Sequence, residues 1–174
     1  MSSLYYLMAS LPMLKADGEM PFSYNEFLRL CQGNVSDARY QMLRELTVVS
    51  NEGPLVSDWA RFYGVLNAEL TYQRNQRLGR PCQIPLERED GAIRTVTAAM
   101  TEKNPLEAEK MLLALQFEKL DELVSSHHFD ESELVGYALK LKLLERKTAF
   151  HRDRGRAELD RIADDLQKQI MNME

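Results

Sequence analysis

The hydrophobic positions in the second half of the chain recur at helical spacing. From residue 105 to about 124, one side of a predicted helix carries Leu106, Leu113, Phe117, Leu120 and Val124. After the turn at 125–130, the next segment carries two apolar stripes, one of Leu134, Tyr137, Ala138, Leu141 and Leu144, the other of Val135, Leu139, Leu143 and Phe150. Because each stripe needs its own packing neighbour, the pattern predicts an all-α helical bundle with a long C-terminal antiparallel helix pair and Leu141 in its core.

The first part of the chain predicts short helices between turn residues. Residues 4–11 are apolar but too few for their spacing to separate a strand from a helix, and we favour a helix. Ser23 and Glu26 have the spacing of a capping box at the start of a short helix. A second short helix is predicted to begin at Ser36 and to continue into Val48 and Val49.

A longer helix is predicted between Ser57, its expected N-terminal cap, and Gly79. Its buried stripe is Trp59, Phe62, Tyr63, Leu66 and Leu70. Residues 79–91 contain two prolines, two glycines and no hydrophobic period, which indicates a connection. We expect a single domain of residues 1–174, with this connection as the best position for a hinge or sub-domain boundary.

Local signals also define the starts of the later helices. A short helix is predicted around residues 92–100, and Asn104 with Pro105 indicates the start of the next one. Asp130 and Glu133 have capping-box spacing before the second helix of the pair. After a predicted kink near Gly155, a last helix is indicated by Leu159, Ile162, Leu166 and Ile170.

Composition narrows the class of protein. The 174 residues are 44% hydrophobic and 28% charged, as in globular domains, and the net charge of −5 argues against nucleic acid as the main partner. Two cysteines without metal-type spacing fit a reducing compartment. No apolar run approaches the roughly 20 residues that span a bilayer, and the first residues do not resemble a signal peptide. We therefore expect a cytoplasmic protein without direct membrane insertion.

The residue pattern predicts no catalytic, cofactor-binding or metal site, and hence a protein that is not an enzyme. No phosphate-binding glycine loop and no GxSxG motif occurs. The neighbouring His127 and His128 would diverge by about 100° on a helix, so a solvated loop is favoured over a metal site. Cys31 has no nearby histidine and is interpreted as part of the core.

Charge is unevenly distributed along the predicted helix pair. Residues 102–133 hold nine acids against three lysines, a net of −6, whereas residues 140–156 hold seven cations against two acids, a net of +5. Complementarity across the pair is the favoured interpretation, and a docking patch for an acidic partner is the alternative. A second basic group ends the helix before Gly79. The candidate partner-binding residues are Arg74, Arg77, Arg80, Lys140, Lys147, Arg152, Arg154 and Arg156.

Two segments resemble a known family: the start YYLMASLP, and the helix pair reading NPLEAEKMLLALQFEKLDEL and FDESELVGYALKLKLLERKTAF. They are similar to the bacterial family catalogued as domain of unknown function 2764, whose members open with YYLxASLP and carry a YALKLKLLER-like helix. Members are commonly encoded beside subunits of bacterial V/A-type ATPases. Residues 137–146 also resemble helices of the all-helical collar of the ATPase central stalk, which seats the rotor shaft on the membrane ring.

This resemblance implies a non-catalytic accessory or central-stalk-type subunit of a bacterial V/A-type ATPase, with other ATPase subunits as partners. It also implies a position at the cytoplasmic face, peripheral to the inner membrane through that complex. No catalytic residues come with the family. The alternative function is a free-standing helical scaffold or regulatory protein that binds an acidic partner through the basic helix at residues 140–156.

Overall fold

A computed structural model describes residues 3–53, 55–125, 130–149 and 161–162 of the chain. Across these ranges the regular structure is helical, which confirms the all-α prediction. The bounded helices are α1 (Ser3–Ser10), α2 (Tyr24–Cys31), α3 (Asp37–Glu45), α4 (Val56–Arg77), α5 (Asp90–Thr101), α6 (Pro105–Val124) and α7 (Glu131–Ala149). Residues 161 and 162 are also helical, whereas the predicted kink at Gly155 and the rest of the last helix lie outside the described residues.

The C-terminal helices α6 and α7 form the predicted antiparallel pair. Lys140 of α7 forms an ion pair with Asp121 near the end of α6, whereas Leu143, later in α7, lines a groove with Leu113, earlier in α6. At Gly136 the two helices approach so closely that an added Cβ would lie 2.5 Å from Cγ1 of Val124. Glycine at this position therefore allows the backbone of α7 to pack against α6.

Both apolar stripes of α7 are buried where the structure describes them, except for Tyr137, which is partly buried. Leu134, Ala138, Leu141 and Leu144 of the first and Val135, Leu139 and Leu143 of the second are all at most 2% exposed. The second neighbour of α7 is the N-terminal region. The ring of Tyr137 stacks on Phe27 of α2 with centroids 5.6 Å apart, and its hydroxyl donates to the Pro12 carbonyl at 3.0 Å. The prediction of two packing neighbours is confirmed.

Helices α4 and α5 run in the same direction. Gln73 hydrogen-bonds Thr97 at 3.0 Å, and Arg77, one turn further along α4, donates to the Met100 carbonyl at 2.6 Å. A parallel pair needs a connection that returns along its first helix, and residues 78–89 supply it. α6 then reverses direction, so that Lys119 pairs with Glu89, immediately before α5, at 3.5 Å. The hinge at residues 79–91 stays a prediction.

The N-terminal helices are short and are joined to the core by side-chain hydrogen bonds. The segment 4–11 is helical as far as Ser10, in agreement with the helix that we favoured from its sequence. Ser23 and Glu26 form the predicted capping box. The Tyr24 hydroxyl donates to the Leu43 carbonyl at 2.7 Å, which links α2 to the end of α3.

Two predicted helix boundaries were wrong. α3 ends at Glu45 rather than near Val49, because Val48 lies in a turn where its carbonyl accepts a 2.9 Å hydrogen bond from the Trp59 indole. α4 begins at Val56, with Leu55 at φ +62° as its cap. Ser57 is therefore already inside the helix rather than capping it.

One predicted core position was also wrong. Leu106 is 54% exposed, although Leu113, Phe117 and Leu120 on the same predicted stripe are buried. Leu106 lies in the first turn of α6 and lines the groove that α6 forms with the end of α7. Glu109 and Lys110 separate Leu106 from the rest of the stripe, and the core covers the stripe only from Leu113 onward.

Candidate partner-binding surface

The end of α4 carries three of the candidate cations. Gly79 adopts a left-handed φ of +64°, which ends the helix and directs the chain to Arg80, whose N–H donates to the Asn75 carbonyl at 2.9 Å. Arg77 is engaged with Met100. Arg74 and Arg80 are exposed and make no side-chain hydrogen bond or ion pair within the described ranges. Two charged side chains are therefore available to a partner here.

The connection that follows exposes apolar side chains. Ile84 is 64% exposed, Leu86 is fully exposed, and Leu78 at the end of α4 is 63% exposed. We call Arg74, Leu78 and Arg80 the basic-apolar surface. Leu86 is not part of it, because Leu86 lies beside Asp58 and Arg61 near the start of α4. Exposed apolar groups beside free cations are typical of contact with another molecule more than of a solvated loop.

A charged pair holds the returning connection against α4. Arg88 donates two hydrogen bonds of 2.9 Å to the carboxylate of Glu69, which is only 1% exposed. The Arg88 guanidinium lies 5.3 Å from the centroid of the Tyr72 ring. Hydrogen bonds from Arg88 keep the pKa of Glu69 below its usual value despite burial. Glu87 adds a 3.2 Å contact to Arg61, so the connection is fixed at its second end.

Sequence reasoning missed this pair and the exposed apolar residues. Glu69 lies seven residues after Phe62 and three after Leu66, on the buried side of α4, and an acid at such a position signals a buried partner. Ile84 and Leu86 stand in a segment without hydrophobic period. Apolar residues without period are a weak signal for a docking loop.

The candidate cations of α7 are engaged within the chain. Lys140 pairs with Asp121 across the helix pair, the contact expected from charge complementarity. Lys147 donates to the carbonyls of Ala16 and Gly18, both at 3.1 Å. These two lysines and the cations at the end of α4 do not form one basic patch, because the two groups contact different parts of the chain.

The other two cations of α7 also have internal partners. Arg146 donates to the Tyr63 hydroxyl at 3.0 Å, and the Lys142 ammonium lies 3.7 Å from the centroid of the Tyr24 ring. Three further candidates lie outside the described residues: Arg152, Arg154 and Arg156. Of the candidate cations that the structure describes, Arg74 and Arg80 are therefore the two without a partner within the chain.

No group of metal-ligating side chains is found in the ranges that the structure describes. Cys31 is completely buried, as predicted, and burial raises the pKa of its thiol to about 12. The thiol is therefore protonated at neutral pH, whereas Cys82 is exposed. His127 and His128 lie outside the described residues.

None of the described helices combines the length and the low polarity that crossing a bilayer requires.

Comparison with known proteins gives a family model that matches part of the chain. Residues 87–170, just under half of the chain, match the model of the family described as Protein of unknown function (DUF2764). No curated protein and no solved structure gives a match. The matched region includes α5, α6 and α7, and therefore the helix pair whose sequence carries the resemblance. Over residues 87–170 the chain is therefore similar to DUF2764.

Proposed function

We propose that the chain is a non-catalytic accessory or central-stalk-type subunit of a bacterial V/A-type ATPase. The observation that carries a partner-binding role is the basic-apolar surface, where Arg74 and Arg80 are free beside the exposed Leu78. The identity of the partner rests on the family resemblance, which the match of residues 87–170 supports. Members of that family are commonly encoded beside V/A-type ATPase subunits.

The arrangement of the surface favours stable contact. Arg77 donates to the Met100 carbonyl at 2.6 Å, so the last turn of α4, which carries Arg74 and leads into Leu78, is fixed against α5. A surface that is already ordered loses less conformational entropy on binding than a free loop does. Apolar groups supply the contact area, and the free cations direct an acidic partner to it.

Purification of the tagged chain from its native host tests this function. We expect subunits of a V/A-type ATPase to co-purify, and less of them to be recovered as salt rises. The double variant Arg74→Glu, Arg80→Glu should lose them. Arg29→Glu is the matched control, because Arg29 is an exposed cation of α2 that makes no side-chain hydrogen bond or ion pair in the described structure. Absence of ATPase subunits from the wild-type preparation would contradict the proposal.

The alternative is a free-standing scaffold or regulatory protein that binds another acidic protein. The basic-apolar surface fits such a partner equally well, because free cations recognise charge rather than a protein class. Co-purification of an acidic protein unrelated to ATPases, lost in the double variant and retained in Arg29→Glu, would favour this alternative.

A further inference from the structure

An apolar groove lies between the first half of α6 and the end of α7. Its volume is about 540 Å³, and its walls include Pro105, Leu106 and Leu113 from α6 and Leu143 from α7. Leu113 and Leu143 form the buried floor, whereas Leu106 is 54% exposed at the edge. The groove therefore continues the apolar core to the surface of the helix pair.

The border of this groove is basic. Among the lining residues that the structure describes, Lys110 lies on one side and Arg146 and Lys147 lie on the other, with Glu109 as the one acid. Lys110 also pairs with Glu107 at 2.7 Å. Arg146 and Lys147 each donate hydrogen bonds within the chain, yet they keep their charge, and Arg146 remains exposed. The lining side chains in the described part of the chain thus include more cations than acids.

The length of the groove fits a short helix. It follows α6 from Asn104 to Gln116, about 18 Å at a rise of 1.5 Å per residue, which matches a partner helix of about twelve residues. A third helix lying between two antiparallel helices buries one apolar stripe, with anchors at i, i+4 and i+7. Cations along the border favour acids flanking that stripe.

We propose that this groove binds an acidic amphipathic helix of a partner protein. Leu106 is 54% exposed although its spacing matches the buried positions of α6, and a partner helix would cover it. Ile162, on the predicted last helix of this chain, is 48% exposed, so that side chain does not fill the groove. The inference rests on the proposed function only in that the chain binds a partner, because the groove is distinct from the basic-apolar surface.

The experiment uses the purified full chain and a fluorescein-labelled synthetic peptide of fourteen residues, designed with leucines at i, i+4 and i+7 and with glutamates beside them. Fluorescence anisotropy measures its dissociation constant. We expect saturable binding, and a loss of at least about 10-fold when lysines replace the glutamates of the peptide. Leu106→Asp and Lys110→Glu should each weaken binding of the acidic peptide by at least about 10-fold.

Leu86→Asp is the matched control, since Leu86 is an exposed leucine that does not line this groove. It should leave peptide binding unchanged. Circular dichroism should show the same helix content in all three variants, because each replaced residue is exposed. Absence of saturable binding, or binding that Leu106→Asp does not weaken, would overturn the proposal.

Two other occupants are distinguished by the same assay. If Leu166→Asp with Ile170→Asp in the full chain raises peptide affinity at least about 10-fold, the chain covers its own groove and the proposal fails. It also fails if the chain sediments as a dimer that Leu106→Asp dissociates, since a second copy then occupies the site. If ATPase subunits co-purify but the peptide does not bind, the proposed function stands and the groove proposal fails. If the peptide binds but ATPase subunits do not co-purify, the groove proposal stands and the proposed function fails.

Discussion

The cations at the end of α4 and the cations of α7 have opposite surroundings. Arg74 and Arg80 project from the last turn of α4 and the residues after it, without partners in the described structure. Lys140 and Lys147 belong to a helix that packs on two sides, where an acid of α6 and two backbone carbonyls accept their hydrogen bonds. The two groups therefore differ in whether an acceptor within the chain lies within reach of each cation.

The largest expected difference between the two regions is the loss of stability when a leucine in each is replaced by alanine. Leu141→Ala should lower the free energy of unfolding by about 2 to 5 kcal/mol, since Leu141 is completely buried in α7. Leu78→Ala, at the exposed end of α4, should change it by less than about 0.5 kcal/mol. Urea unfolding followed by circular dichroism measures both. Equal midpoints for the two variants would show that α7 is not the buried helix of this comparison.

The next largest difference in stability is expected when a glycine of α7 and a glycine of α4 are each replaced by alanine. Gly136→Ala places a Cβ 2.5 Å from Val124, a β-branched residue that has few other rotamers, and should cost about 1 to 3 kcal/mol through overpacking. Gly64→Ala is the control, because nothing lies within 4 Å of the added Cβ on α4. There we expect a gain of about 0.4 to 1 kcal/mol from a less flexible unfolded chain. Thermal unfolding of both variants should therefore shift in opposite directions, and a shared direction would contradict the close approach of α6 and α7.

Much of this fold was predictable because its signals are local. The capping box of Ser23 and Glu26 and the stripes of α7 depend on residues one or two turns apart. The boundaries that failed depended on distant contacts or unusual backbone. The carbonyl of Val48 accepts from Trp59, and Leu55 adopts a positive φ that its residue type does not suggest.

The candidate surface was predictable only as a set of charges. Counting cations identified both basic groups but could not show which cations have acceptors within the chain. The acceptors of Lys147, for example, are the carbonyls of Ala16 and Gly18, which are far away in sequence. The same limit applies to Glu69 and Arg88, whose pairing depends on the return of the connection along α4. For Leu106 the helical spacing predicted a buried side chain. Its actual exposure depends on which other helices reach it, which the spacing does not reveal.

Removing single cations should change the free energy of unfolding by smaller amounts, with a larger cost in α7 than at the end of α4. Lys147→Met leaves the carbonyls of Ala16 and Gly18 without their donor in a partly buried position and should cost about 1 to 2 kcal/mol. Arg80→Met should change the free energy of unfolding by less than about 0.5 kcal/mol, because the Arg80 side chain has no partner in the described structure. Denaturant titration compares the two, and a larger cost for Arg80→Met would reverse the assignment of the basic groups.

The smallest effect on stability is expected from reversing the free charges of α4. Arg74→Glu with Arg80→Glu should leave the midpoint of urea unfolding nearly unchanged, since exposed charges contribute about 0 to 1 kcal/mol at most and these two have no partner to lose. Association with an acidic partner should slow at low salt and approach the wild-type rate at high salt, because such charges act mainly on the encounter. Lys140→Glu is the informative contrast: it sets a second acid against Asp121, so it should destabilise the chain more at low salt than at high salt. Stopped-flow association and urea unfolding at two salt concentrations measure these effects. If the α4 double variant unfolds earlier than Lys140→Glu at low salt, Arg74 and Arg80 stabilise the fold and are not free for a partner.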